Sequence, residues 1–167
     1  MIPQHEDKRY KVLTGRKVHE RRSRENRDYL RRKINAIKKE INVYLASHTL
    51  RIRGIVDEVL TFSDGTMAPL DYKYTPHREF VFNTHQLQVG MYGLLIREAY
   101  ERPVTRGYVG YIRDGHQLLE VSIDQALEDQ IKRLTDEIFA VILKGRLPKR
   151  TPDRTKCSDC CYKNICV

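Results

Sequence analysis

The fold is decided by the stretch Leu50–Tyr74, which reads LRIRGIVDEVLTFSDGTMAPLDYKY. Both of its ends are rich in residues that favour β-strands, and its middle, FSDGT, combines turn-forming residues with a glycine. This pattern predicts a β-hairpin with strands over 50–60 and 67–74. Because each strand carries acidic residues, the register of the hairpin determines which of them meet.

The length of the turn decides whether Asp57 faces the same way as Asp71 and Lys73. The last two lie two residues apart in one strand, so their side chains leave the same face of the sheet. A two-residue loop at 64–65 would place Asp57 on the other face. A three-residue loop at 63–65 puts a glycine at the left-handed third position that such turns favour, and it pairs Asp57 with Asp71.

Two carboxylates directly opposite each other repel and destabilise a hairpin unless a cation neutralises them. Oxygen ligands of this kind suit Mg²⁺ or Mn²⁺, and such ions typically act on phosphates. The alternative is a solvated acid pair at the end of a strand. The apolar residues beside Asp57 and Asp71 favour the metal site.

The remaining sequence predicts an α/β domain with a mixed central sheet flanked by helices. Apolar residues at spacings of three and four indicate helices, and Asp114-Gly115 indicates a second tight turn. Ser122 and Gln125 form a capping box for the last helix, which Gly145 ends. The predicted elements, in order, are a helix over 16–46, the first hairpin, a helix capped by Asn83 and running to about Ala99, a second hairpin over 104–113 and 116–121, and the last helix.

The charge of the chain is basic and unevenly distributed. Over the full 167 residues the formal net charge is +9, and the segment 16–33 carries nine Lys or Arg against three acidic residues. Such a segment attracts polyanions, although it is also compatible with a solvated helix. No apolar run is long enough to span a membrane, and the polar N-terminus lacks the pattern of a signal peptide. We therefore expect a cytoplasmic protein with no membrane partner.

The four cysteines all lie within the last eleven residues, at Cys157, Cys160, Cys161 and Cys166. A cytosolic C-x-x-C pair with further cysteines nearby is typical of a metal centre rather than of a disulfide framework. Both an iron–sulfur cluster and a structural zinc site fit this spacing. The sequence thus predicts two units, a main domain over 1–148 and a small cysteine-rich tail over 149–167.

These motifs together resemble a known family. The segments GIVD (54–57), DYK (71–73) and QVGMY (88–92) resemble the G-x-x-D, D-x-K and Q-x-x-x-Y motifs of RecB-type nucleases in the PD-(D/E)xK superfamily, and GRKVH (15–19) resembles an early histidine motif of that group. The cysteine tail narrows the resemblance to the CRISPR-associated RecB-like exonucleases, the Cas family numbered four. The resemblance covers nearly the whole chain.

The resemblance implies a role for each motif residue. It assigns Lys73 to positioning or polarising the attacking water and to offsetting the charge of the transition state. It assigns Gln88 and Tyr92, which share one helical face, to orienting the lysine and the phosphate. It implies four ligands for the divalent ion: His19, Asp57, Asp71 and the backbone carbonyl of Tyr72.

For the tail, the resemblance implies a [4Fe-4S] cluster bound by Cys157, Cys160 and Cys166, with zinc as the alternative metal. Related proteins supply a fourth cysteine from the N-terminal region, and this chain has none before Cys157. The fourth ligand is then Cys161 or another residue such as His5, unless the chain begins late.

The function implied is a metal-dependent DNA exonuclease acting on single strands or frayed ends. By resemblance, its task is to process spacer precursors in CRISPR adaptation, together with the integrase complex. Three alternatives stay open at this point: a non-catalytic DNA-binding or scaffold module, an interaction protein built on a zinc tail, and a RecB-like nuclease of recombination or repair.

Overall fold

The computed structural model describes residues 34–76, 79–113, 117–145, 150–157 and 160. Within these residues the chain forms a five-stranded mixed sheet and two α-helices, so the predicted α/β class is confirmed. The elements are β1 (Ala36–Ser47), β2 (Ile52–Phe62), β3 (Met67–Lys73), α1 (Asn83–Tyr100), β4 (Arg106–Tyr111), β5 (Gln117–Ser122) and α2 (Gln125–Lys144), followed by a short 3₁₀ turn (Arg154–Cys157). The boundary predicted at 148 falls outside the described residues.

The β2–β3 hairpin has the register that the three-residue loop predicts. The Phe62 N–H donates to the Thr66 carbonyl over 2.9 Å, and Gly65 takes a left-handed conformation with φ of 80°. The antiparallel pairs then run from Thr61↔Met67 to Glu58↔Leu70. A side chain at Gly65 would be strained, because L-residues rarely adopt this backbone conformation.

The sheet changes from antiparallel to parallel pairing where α1 connects two strands. Its order is β1-β2-β3-β4-β5, with β3 and β4 parallel and every other neighbouring pair antiparallel. The helix α1 spans the connection between β3 and β4 and packs on one face of the sheet with α2. Val89, Leu94 and Ile131 belong to the core on this helical face, which is also the face of Asp71 and Lys73.

The opposite face of the sheet carries a second apolar cluster that includes Leu60 and Leu70. Beside it lies a buried polar group: Glu58 is only 2% exposed, and its Oε1 accepts from Lys39 Nζ over 3.3 Å and from the Tyr72 hydroxyl over 3.2 Å. Burial raises the pKa of Glu58 despite the opposing charge of Lys39. Side chains of β3 therefore make contacts on both faces of the sheet.

The helix predicted over 16–46 is wrong in its second half, where β1 forms instead. The apolar residues Ile34, Ile37, Ile41 and Leu45 have helical spacing, but Ile37 is 56% exposed. Val43 and Leu45 alternate onto the helical face of the sheet, and β1 pairs with β2 along nearly its whole length. Backbone pairing with β2 therefore overrides the local helical pattern. The first half, 16–33, lies outside the described residues.

The N-caps of both helices differ from the prediction by one or two residues. The N-cap of α1 is Phe82 rather than Asn83, and it makes no capping side-chain hydrogen bond. The N-cap of α2 is Asp124, which accepts from the Leu127 N–H over 2.9 Å. Ser122 ends β5 instead of capping the helix, because its backbone pairs with β4. Gly145 ends α2 as predicted, with φ of 61°.

The second hairpin is confirmed as an antiparallel β4–β5 pair. Its first strand is shorter than predicted, its second is shifted by one residue, and the Asp114-Gly115 turn lies outside the described residues. Neither of the described helices is both long and apolar enough to cross a membrane.

Candidate active site

The β2–β3 hairpin brings Asp57 and Asp71 to one place. The paired segment of β2 and β3 ends at Glu58↔Leu70, next to Asp57 and Asp71 in the sequence. Asp57 Oδ2 accepts a hydrogen bond from the backbone N–H of Tyr72 over 2.8 Å, which fixes the carboxylate at the end of the paired segment. The turn length that the sequence favours is confirmed, and Asp57 contacts the residue that follows Asp71.

Lys73 is held between an acid and an amide. Its Nζ lies 2.8 Å from Asp71 Oδ2 and 2.6 Å from Gln88 Oε1. The Asp71 side chain is 4% exposed, while that of Lys73 is 20% exposed. The ammonium thus has a fixed position at the edge of the core and still reaches solvent.

Gln88 also links Lys73 to Tyr92. The Gln88 Nε2 donates to the Tyr92 hydroxyl over 2.9 Å, as expected for residues four apart on α1. Burial raises the pKa of Tyr92, and the charges of Asp71 and Asp57 raise it further. Both acids therefore lie close enough to this hydroxyl to act on it, and it stays protonated at neutral pH.

Gly54 explains the first position of the G-x-x-D motif. A Cβ built on Gly54 would lie 2.8 Å from Cε1 of Tyr92, closer than such atoms approach in proteins. The glycine therefore lets the Tyr92 ring pack directly on the backbone of β2. Gly54 and Tyr92, which belong to two different motifs, therefore contact each other.

The oxygen atoms at this site fit a hard divalent cation. Two carboxylates and one ammonium leave a net charge of −1. In an extended strand, the N–H and C=O of one residue point to the same side, so the Tyr72 carbonyl points to the side where Asp57 accepts its N–H. Among the described residues, no three His, Cys, Asp or Glu side chains form a metal-binding group, and the predicted ligand His19 lies outside them.

Two residues near Lys73, His85 and Tyr111, were not predicted from the sequence. His85 Nδ1 lies 3.1 Å from the Tyr111 hydroxyl, and Tyr111 pairs with Lys73 across β3 and β4. Burial lowers the pKa of His85, and the charge of Lys73 lowers it further. His85 stands three residues before Gln88, so its helical spacing to Gln88 and Tyr92 was the available signal.

Half of the cysteine pattern is described. The Cys160 N–H donates to the Cys157 carbonyl over 3.3 Å, so the backbones of the two residues of the C-x-x-C pair are in contact. Both cysteines are partly exposed. Cys161, Cys166 and the basic segment 16–33 lie outside the described residues.

Comparison with known proteins identifies the family. A family model described as the PD-(D/E)XK nuclease superfamily matches residues 2–167. The chain belongs to this superfamily. The solved structure of SSO0001 is similar in fold to this chain. The TM-score is 0.59 at 16% sequence identity, and the match covers 93% of this chain and 69% of that one.

Several relatives of this chain have a more specific name than the superfamily. The chain is 26% identical over 133 residues to a CRISPR-associated exonuclease Cas4 of Thermoproteus tenax, covering 80% of this chain and 67% of that protein. A protein of the same name from Francisella tularensis subsp. novicida is 25% identical, with 79% and 64% covered. The chain thus spans about two thirds of their lengths. A Cas4/endonuclease Cas1 fusion of Leptospira interrogans is 23% identical, covering 74% of this chain and 24% of the fusion.

Proposed function

We propose that this chain is a metal-dependent DNA exonuclease that hydrolyses phosphodiester bonds in single strands or frayed ends. The observation that carries the proposal is the position of Lys73, whose Nζ lies within 2.8 Å of both Asp71 and Gln88 at the end of a hairpin that also presents Asp57. Membership of a nuclease superfamily supports the reaction class.

In this proposal, Asp57, Asp71 and the Tyr72 carbonyl hold Mg²⁺ or Mn²⁺, with His19 as a further ligand. The bound ion supplies Lewis-acid stabilisation of the phosphate and lowers the pKa of an attacking water. The Lys73 ammonium lies between Asp71 and Gln88, so it would place a positive charge where the transition state gains negative charge. Tyr92 and Gln88 hold that ammonium in place.

The relatives support a proposal about the biological context. Proteins named CRISPR-associated exonuclease align with most of this chain, and one relative is fused to the Cas1 endonuclease. We infer that the chain processes spacer precursors in CRISPR adaptation and works with the integrase complex. A RecB-like repair nuclease would share the same chemistry and differ only in its partners.

We further propose that the tail binds a [4Fe-4S] cluster through Cys157, Cys160 and Cys166, with Cys161 or another residue such as His5 as the fourth ligand. The hydrogen bond from the Cys160 N–H to the Cys157 carbonyl supports a shared metal centre, because it holds the backbones of these two thiol-bearing residues close together. Zinc is the alternative for the same residues.

The decisive experiment measures cleavage of end-labelled single-stranded DNA by the full chain with Mn²⁺ or Mg²⁺. Wild type is expected to release mononucleotides or short products, and Asp71→Ala and Lys73→Ala to lower kcat by at least about 100-fold. Lys38→Ala and Asp129→Ala are matched controls, since both residues form exposed ion pairs far along the sequence from the motifs.

The outcomes separate the candidate functions. Cleavage that survives both Asp71→Ala and Lys73→Ala would remove this site from the mechanism. Salt-dependent DNA binding by wild type without metal-dependent cleavage would instead identify a non-catalytic DNA-binding module.

A further inference from the structure

A row of aromatic rings leads from the surface to the candidate active site. The ring centroids of Phe80 and Phe82 lie 5.5 Å apart, as do those of Phe82 and His85. His85 in turn lies 5.9 Å from the Tyr111 ring. The first two pairs meet edge to face, at interplanar angles of 73° and 83°. We call Phe80, Phe82 and His85 the aromatic row.

The inner end of the aromatic row borders the acid–lysine pair. Tyr111, which contacts His85, pairs with Lys73 in the β3–β4 register. The charge of Lys73 acts on His85, and the charge of Asp71 acts on Tyr111. The row is therefore continuous with the place where we expect the scissile phosphate.

The outer end of the aromatic row is exposed. Phe80 is 61% exposed and Phe82 is 36% exposed, so Phe80 in particular adds little to the core. Phe82 occupies the N-cap of α1, where Ser, Thr, Asp or Asn would satisfy a helix N–H and Phe does not. Neither core packing nor helix capping accounts for these two side chains.

Acidic residues restrict what can cover the row. A cavity of about 450 Å³ adjoins Phe80, and its lining includes Glu79, Glu120 and Asp124. These carboxylates repel a phosphate backbone, whereas uncharged bases can approach the rings. Unpaired bases have the flat faces that stack on aromatic side chains, and they do so with little regard to sequence.

Resting on the proposed nuclease function, we propose that the aromatic row is a stacking platform for unpaired bases of the DNA strand whose phosphodiester lies at Lys73. The bases contact Phe80 and Phe82, and the phosphate backbone runs on the side away from Glu79. Bases in a duplex are already stacked on one another, so the platform selects single strands or frayed ends over duplex.

The test compares binding of a fluorescein-labelled oligothymidylate by anisotropy, without added divalent metal so that no cleavage occurs. Phe80→Ala is expected to weaken binding by about five- to tenfold, and Phe80→Trp to retain or tighten it. Phe80→Leu keeps the apolar character without the ring and should bind as weakly as Phe80→Ala. Tyr44→Ala is the matched control, since Tyr44 is 60% exposed on the edge strand β1.

A second measurement uses activity. Phe80→Ala should raise KM for the oligonucleotide and leave cleavage of thymidine 5′-(p-nitrophenyl phosphate) unchanged, because one nucleotide is too short to use the platform. Circular dichroism checks that Phe80→Ala folds as wild type does, and the exposure of Phe80 makes this the expected result.

The failure of the platform and that of the nuclease are distinguishable. Wild-type affinity in Phe80→Ala, or equal losses in Phe80→Ala and Tyr44→Ala, would overturn the platform even if the enzyme cleaves DNA. Weakened binding in Phe80→Ala alone, in a protein that cleaves nothing, would overturn the nuclease and leave the platform standing.

Discussion

Lys73 and Gln88 are joined by a 2.6 Å hydrogen bond between Nζ and Oε1, which ties the end of β3 to the first half of α1. The same amide donates to the Tyr92 hydroxyl, so one side chain orients two others. Because an ammonium at the end of a flexible side chain has many rotamers, this bond restricts where the positive charge can lie.

Replacing Gln88 with Leu tests this relationship. We expect kcat for DNA cleavage to fall by about 10- to 100-fold, because a displaced catalytic group loses its alignment with the reacting phosphate. DNA affinity and the melting temperature should change little. Gln125→Leu is the matched control, since Gln125 bonds only Asp129 on the exposed surface of α2. A Gln88→Leu variant with wild-type kcat would show that Lys73 needs no support from α1.

Gly54→Ala tests the contact between β2 and the Tyr92 ring. The added Cβ would meet Cε1 of Tyr92 at 2.8 Å, so we expect a loss of about 1–3 kcal/mol in the free energy of unfolding. The ring must move, which draws its hydroxyl away from Gln88 and lowers kcat. Urea unfolding and kinetics measure the two effects.

A double-mutant cycle isolates the clash from other effects of the substitution. In a Tyr92→Ala background the ring is gone, so Gly54→Ala should then cost less than about 0.5 kcal/mol. Equal costs in the two backgrounds would place the origin of the loss in the backbone of β2 instead.

Lys39 and Glu58 form a nearly buried ion pair whose loss should be asymmetric. Their side chains are 10% and 3% exposed, so Lys39→Met is expected to cost about 3–5 kcal/mol at pH 7 by leaving a buried carboxylate without its cation. The double variant Lys39→Met/Glu58→Gln should recover most of this, because the amide oxygen still accepts from Tyr72. Urea unfolding of both variants measures the difference.

The pH dependence of the same variants has a definite sign. The folded-state pKa of Glu58 is raised above its usual 4.5, so the folded protein holds this proton to a higher pH than the unfolded chain. The contribution to stability is full below pH 4.5 and is lost as the pH rises through the folded pKa. Lys39→Met should therefore be least destabilised near pH 4.5, and a penalty that does not change with pH would contradict this assignment.

The contribution of His85 to stability should have the opposite pH dependence from that of Glu58. The folded-state pKa of His85 is lowered from 6.5 by burial and by the charge of Lys73, so the unfolded chain takes up the proton first as the pH falls. The His85 contribution is present above pH 6.5 and is lost as the pH falls through the folded pKa. Melting temperatures of wild type and His85→Phe from pH 8 to pH 5 should converge toward low pH. A constant difference would show that His85 does not titrate differently in the two states.

The proposal that the tail binds a metal is tested by elemental analysis of anaerobically purified protein. Broad visible absorption with bound iron identifies an iron–sulfur cluster, and a colourless protein with bound zinc identifies the alternative. Cys157→Ser should lose the metal in either case, because removal of one thiolate from a cysteine site weakens it strongly. Wild-type metal content in Cys157→Ser, or a metal-free wild type, would contradict a metal centre at Cys157.

The sequence by itself determined the features that depend on local backbone geometry. The three-residue turn with Gly65 fixes the register of β2 against β3, and the paired segment ends next to Asp57 and Asp71. The end of α2 at Gly145 is also local, since a left-handed glycine acts within a few residues.

Only the tertiary structure decided the features that depend on distant pairing. Residues 36–47 carry a helical pattern and form a strand, because β2 offers them a ladder of backbone hydrogen bonds that no local rule counts. The contacts of Gln88 with Lys73 and of His85 with Tyr111 arise because α1 packs across the parallel pair β3–β4. Spacing places such residues on one face of a helix, and the packing of that helix on the sheet selects what they touch.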